Sequence, residues 1–162
     1  MKNNVKSRKI TLTFSDYMHL QDLVRAGRNI DFQPSTLLDA LEAELNRAEI
    51  VASNAIPRYV FTMNTCALLT DTSTGERTKC TLVFPGEANP QCGKLSVLSE
   101  LGIALLGFSV GDTIDWESPE GPRSFRIERF RFQPEAEGQY GCEETMRQGI
   151  EGASDAQYAF EI

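Results

Sequence analysis

Apolar residues recur at helical spacing in the first half of the chain and in short alternating runs in the second, which predicts helices followed by strands. Lys9-Ile10-Thr11-Leu12-Thr13-Phe14 reads as a short extended piece. Ser15 is placed to cap a helix carrying Tyr17, Leu20, Leu23 and Val24 on one side and stopping at Gly27, which suits a left-handed terminal residue. A second helix is predicted from Pro34, tolerated in a first turn because its missing donor would be unpaired there, through to Ala52. It presents Leu38, Leu41, Leu45, Ala48 and Ala52 in steps of three and four, an a/d seam, with Asp39, Glu42, Glu44, Arg47 and Glu49 outside. Two helices with apolar stripes and a short link predict a short N-terminal antiparallel helical hairpin over residues 1–56, with Asn29, Asp31 and Phe32 at its tip. A pair of helices packed flat on a sheet is the alternative.

Beyond Pro57 the punctuation is that of strands, predicted at 59–62, 65–70, 79–84 and 94–98, with a turn at Ser73-Thr74-Gly75. Leu101, Ala104, Leu105 and Phe108 have the spacing of one short helix, ended by Gly107 and Gly111-Asp112. A strand over 113–117, a Pro119-Glu120-Gly121-Pro122 turn and a last strand over 123–132 follow. Apolar parity switches inside that last strand, from Phe125 and Ile127 to Phe130 and Phe132. A β-bulge near Glu128-Arg129 repairs the register and leaves Arg126, Arg129 and Arg131 on one solvent face. That face is either plain solvated surface or a contact surface for an acidic or polar partner.

Length and charge narrow the picture. At 162 residues the chain holds one domain or one with a small appendage. No apolar window is long enough to span a bilayer and no apolar signal core stands at the start, so the expected location is the cytoplasm. The net charge of -7 is unevenly placed: from Glu135 to Ile162 there are seven acids and one base. This predicts a body over 57–134 followed by an acidic tail over 135–162 with no structure of its own. The nearly neutral remainder argues against direct sequence-specific nucleic-acid binding, which needs a dense Lys/Arg surface, and points to a protein partner; a monomeric chain is expected.

Candidate chemistry is sparse. Cys66, Cys80, Cys92 and Cys142 form no C-x-x-C, and His19 is the single histidine, so a metal site, a cofactor and a histidine-based dyad are not expected. Cys66 and Cys80 are expected in strands, and Cys92 exposed in its loop. Phosphate-loop, dinucleotide, nucleophile-elbow and zincin motifs are absent. Asp39-Ala40-Leu41-Glu42 is the one paired-carboxylate pattern. Acids at i and i+3 on a helix are neighbours able to share a divalent cation, and they are equally ordinary on a solvated helix face.

The run Leu95–Gly107, then Val110-Gly111-Asp112, Pro119-Glu120-Gly121 and Phe125-Arg126-Ile127, resembles the C-terminal domain of the bacterial transcription elongation factors GreA and GreB. Thr62-Met63-Asn64, Thr81-Leu82-Val83-Phe84-Pro85, Phe132-Gln133-Pro134-Glu135-Ala136 and the helix around Leu38–Leu41 and Glu44–Ala48 resemble the Gre-related Rnk family, the regulators of nucleoside diphosphate kinase. The resemblance covers about residues 10 to 140. It implies an α+β fold, a helical hairpin before an FKBP-like antiparallel β-sheet domain with one short helix, and docking on RNA polymerase at the rim of the secondary channel. The polymerase-contacting segment of Gre factors, Asp-Ser-Pro before the short helix, falls on Leu98, Ser99 and Glu100, with Ser99 kept. Gre factors use a long coiled coil to carry an acidic pair to the catalytic magnesium. The second helix here would be about 28 Å long, with Asp39 and Glu42 set back from its tip. The resemblance with this length therefore implies a non-enzymatic regulator that occupies the site without transcript cleavage. The alternatives are a Gre-type cleavage factor and, from the fold analogy, a peptidyl-prolyl isomerase with Trp116 lining its site.

Overall fold

The computed structural model describes residues 9–29 and 35–138. Strand β1 (Thr11–Thr13) runs directly into helix α1 (Phe14–Arg28). Thr13, not Ser15, caps α1: its hydroxyl accepts the Asp16 amide at 3.1 Å. The helix does not stop at Gly27 but continues to Arg28, and Gly27 is kept for space, since a Cβ there would lie 2.7 Å from Leu38 Cδ2. Helix α2 spans Ser35–Asn46, 12 residues, about 18 Å long. The predicted continuation to Ala52 is wrong. Glu49–Val51 form β2, paired in parallel with β1, because the β-branched Ile50 and Val51 meet an open strand edge that the local seam pattern cannot reveal. Leu38, Leu41 and Leu45 form the buried stripe of α2 as expected.

The second half is a five-stranded sheet in the order β5-β4-β3-β7-β6, built from β3 (Cys66–Asp71), β4 (Arg77–Val83), β5 (Lys94–Ser96), β6 (Thr113–Ser118) and β7 (Gly121–Phe132). It is not wholly antiparallel: β4 and β5 pair in parallel, joined by a crossover with two 3-10 turns at Pro85–Glu87 and Pro90–Cys92. The predicted strand at 59–62 is a single bridge between Val60 and Ser109. Pairing of β7 with β3 skips Glu128 and Arg131, so the expected bulge is present and a second one lies nearer the strand end. Helix α3 (Glu100–Leu105) sits between β5 and β6 in the chain.

Helices and sheet share one core. Ile10, Leu20 and Leu41 from the N-terminal half are buried with Leu69, Leu82, Leu101 and Ile127. Gly107 makes this junction possible. It has a φ of 83°, and a Cβ would lie 2.3 Å from Ile10 Cγ2, so the N-terminal segment crosses directly over it. The turn around the expected boundary at 134 bonds to the body. The Gln133 side chain donates to the Pro57 and Val60 carbonyls, and the Thr62 hydroxyl donates to Glu135 at 2.8 Å, so the turn after β7 is fastened to the body. Residues 139–162, the rest of the acidic segment, lie outside the described residues. Cys66 and Cys80 are buried in strands and Cys92 is exposed. Among the described residues no helix is long and apolar enough to cross a membrane.

Candidate functional site

The loop before α3 is held by its own polar groups. Ser99 caps α3, accepting the Gly102 amide at 3.0 Å while donating to the Ser96 carbonyl at 2.7 Å. Leu98 is buried and Glu100 is exposed. Of the three residues carried over for partner contact, Ser99 therefore builds the loop and Glu100 presents itself to solvent. A bulky substitution at Ser99 would remove a cap, so it cannot probe an interface without disturbing the helix.

On the helices, Asp39 and Glu42 face one cation. Arg28 donates to Asp39 Oδ1 at 3.0 Å and also bonds Glu42, tying the last turn of α1 to the middle of α2. The two carboxylates hold the guanidinium charged more firmly than usual, Asp39 first. The spacing that suggested a shared divalent cation instead produces a fork for an arginine of the neighbouring helix. Asn29 ends α1, its amide donating to Ala26 and Gly27 carbonyls, whereas the other tip residues, Asp31 and Phe32, lie outside the described residues. Among the described residues no group of three or more His, Cys, Asp or Glu is arranged to hold a metal ion.

The third set lies on the open sheet face. Arg126 stands opposite Thr70 and Arg129 opposite Leu68, on the side of the sheet away from the core residues Ala67, Leu69 and Ile127. Across β3 the rows continue to Arg77, opposite Thr70, and Lys79, opposite Leu68. Arg77, Leu68, Arg126, Glu128 and Arg129 line a shallow groove, and Arg77 reaches Glu128 at 3.4 Å. Arg131, displaced by the second bulge, is exposed beyond it. Arg77 and Lys79 complete a basic surface that the arginines of one strand could not reveal, although the alternation of Arg77, Lys79 and Thr81 against Cys80 and Leu82 carries the signal.

A half-buried acidic pair was not legible at all. Burial and the nearby Glu135 charge push the Asp16 carboxyl up to about 7, against a smaller opposing pull from Thr13. Burial likewise raises Glu135. These groups lie 119 positions apart in sequence, and only the turn after β7 brings them together. Trp116 packs on Phe125 at 6.1 Å between ring centres and lies half-buried against the core, away from the basic groove.

The model described as Rnk N-terminus matches residues 8–51, and the model described as the C-terminal part of transcription elongation factor GreA/GreB matches residues 57–131. The regulator of nucleoside diphosphate kinase of Escherichia coli strain K12 is 40% identical over 105 residues, 64% of this chain and 77% of that protein. The transcription inhibitor protein Gfh1 of Thermus aquaticus is 37% identical over 94 residues, 56% of this chain and 57% of that one. Among solved structures, a prokaryotic transcription elongation factor GreA/GreB from Nitrosomonas europaea aligns with a TM-score of 0.67 at 35% identity, covering 76% of this chain and 100% of the other. Two short helices closed on a sheet, a capped loop at Ser99 and these matches along both halves place the chain in the GreA/GreB family, on its Rnk branch.

Proposed function

We propose that this protein is a cytoplasmic, monomeric regulator of transcription that docks on RNA polymerase at the secondary-channel rim and does not cut RNA. The observation that carries this reading is the engagement of Asp39 and Glu42 by Arg28 on a helix of 12 residues. A carboxylate pair that is to hold a second magnesium must be presented unpaired at the end of a long projection, and this pair is neither. Family membership supports the partner, and a relative named as a transcription inhibitor supports binding separated from cleavage. The docking residues in this reading are Glu100 at the loop that Leu98 and Ser99 shape, and Arg126, Arg129 and Arg131 on the sheet face. The isomerase alternative receives no support, because Trp116 lies half-buried against the core and Phe125 rather than lining a concave pocket.

The test uses a backtracked elongation complex. The protein alone should leave the transcript intact, and increasing amounts should suppress cleavage by an added Gre factor, because two ligands of one site exclude each other by mass action. Cleavage that disappears in Asp39→Ala would restore the acid pair as a magnesium clamp. Binding without competition would move the docking site to another part of the polymerase.

A further inference from the structure

The basic sheet face and the acidic C-terminal segment belong to one chain, and we infer that the segment after Gly138 is the face's own occupant. Two cross-strand rows build the face, Arg77–Thr70–Arg126 and Lys79–Leu68–Arg129. Within these rows the facing acid is Glu128, which Arg77 engages, and Asp115 and Glu117 of β6 stand on the same side of the sheet beyond Thr113, which lies opposite Arg126. Among the described residues none accepts an ion pair from Lys79, Arg126 or Arg129. Thr70 Oγ1, at the centre of the first row, is buried with no hydrogen-bond partner among the described residues. Residues 139–162 carry five acids and one base, the complementary charge.

Covalent geometry puts the two within reach. The described residues end at Gly138, just past the Phe132 end of β7, where the Gly138 amide donates back to the Glu135 carbonyl and the Glu137 amide to that of Gln133. Arg129 lies three residues up that strand, about 10 Å. Glu143 and Glu144 follow Gly138 by five and six residues, a reach of about 17 to 20 Å when extended. A short tether converts each weak exposed ion pair into an intramolecular event at millimolar effective concentration, so several pairs together suffice to close the contact. A segment seated on the arginines would compete with any external acidic partner. That consequence rests on the docking proposed above, whereas the contact itself does not.

The contact is tested on the full chain, without polymerase. With Cys92→Ser to remove the exposed thiol and a nitroxide spin label on Cys142, amide signals of Leu68, Thr70 and Arg126 should broaden. The broadening should vanish at 0.5 M salt, where screening is short, and in Arg126→Glu/Arg129→Glu. Broadening that ignores the charge reversal, or that spares the face, would overturn the inference. So would broadening seen only between a labelled copy and an unlabelled, isotope-enriched copy, because the occupant would then be a second molecule. In a separate binding assay with core RNA polymerase, Glu143→Gln/Glu144→Gln/Glu151→Gln should tighten binding about 3- to 10-fold. Should the full chain show no polymerase binding at all while the label contact persists, the docking proposal fails and the intramolecular contact stands.

Discussion

Asp71 is buried and Asp16 half-buried, and they hold their protons in opposite ways. Asp71, at the end of β3, is 1% exposed and surrounded by donors: the Ser73 hydroxyl at 2.6 Å, the Arg123 guanidinium at 2.8 and 3.0 Å, and the Ser73 and Thr74 amides. The Ser73 hydroxyl, then Arg123, hold its carboxyl well below the usual carboxylate range. Asp16, in the first turn of α1, has Thr13 on one side and the acid Glu135 on the other, and its carboxyl rises to about 7. Burial alone therefore does not decide the charge of a carboxyl in this molecule; the number of donors facing it does. One carboxylate closes a β-turn, while the other makes the junction between α1 and the turn after β7 sensitive to pH.

The largest expected effect follows from Asp16. Because its folded value is raised from an ordinary value near 4, the native state binds the extra proton between about pH 4 and pH 7, and its stability falls as pH rises through that window. Asp16→Asn removes the penalty. Denaturant unfolding should find the variant more stable than the parent at pH 8 by on the order of 3 kcal/mol, with the difference shrinking to nothing as pH approaches 4. A pH-independent difference would mean that neither burial nor the nearby Glu135 raises the Asp16 carboxyl.

Asp71 has the opposite sign. Its stabilising contribution is complete above about pH 4 and is lost as pH falls below that value towards its lowered folded range. Asp71→Ala should lower Tm by about 5 °C at pH 7, because Arg123 and the turn amides lose their shared acceptor. The gap should narrow in acid. An equal gap at pH 3 and pH 7 would assign the loss to packing and remove the contrast with Asp16.

How much of this was legible in the sequence depends on the range of the interaction. Leu38, Leu41 and Leu45 announce their buried stripe because helical spacing is local, and the parity switch between Ile127 and Phe130 announces a bulge for the same reason. The end of α2 was not legible, since Ala48 and Ala52 continue the seam while Ile50 and Val51 are claimed by β1, nearly forty residues earlier. The basic face was half legible: Arg126 and Arg129 stand in one strand, but Arg77 and Lys79 join them only through register. For the carboxylates, the i, i+3 spacing of Asp39 and Glu42 was visible and their cation Arg28 was not, because a helix-to-helix contact selects it.

The smallest expected effect is at that contact. The side chains of Arg28, Asp39 and Glu42 are 40%, 63% and 48% exposed, so water already solvates all three and salt screens them. Arg28→Ala should change Tm by about 2 °C or less, with the difference fading at high salt. The same variant sharpens the functional contrast, because it leaves both carboxylates without the cation that occupies them. In the docking proposed above, a helix of about 18 Å would leave them short of the catalytic magnesium, so transcript cleavage in a backtracked complex should stay absent. Cleavage appearing on loss of Arg28 would mean that reach is no obstacle and that the ion pair itself keeps a metal-binding pair closed.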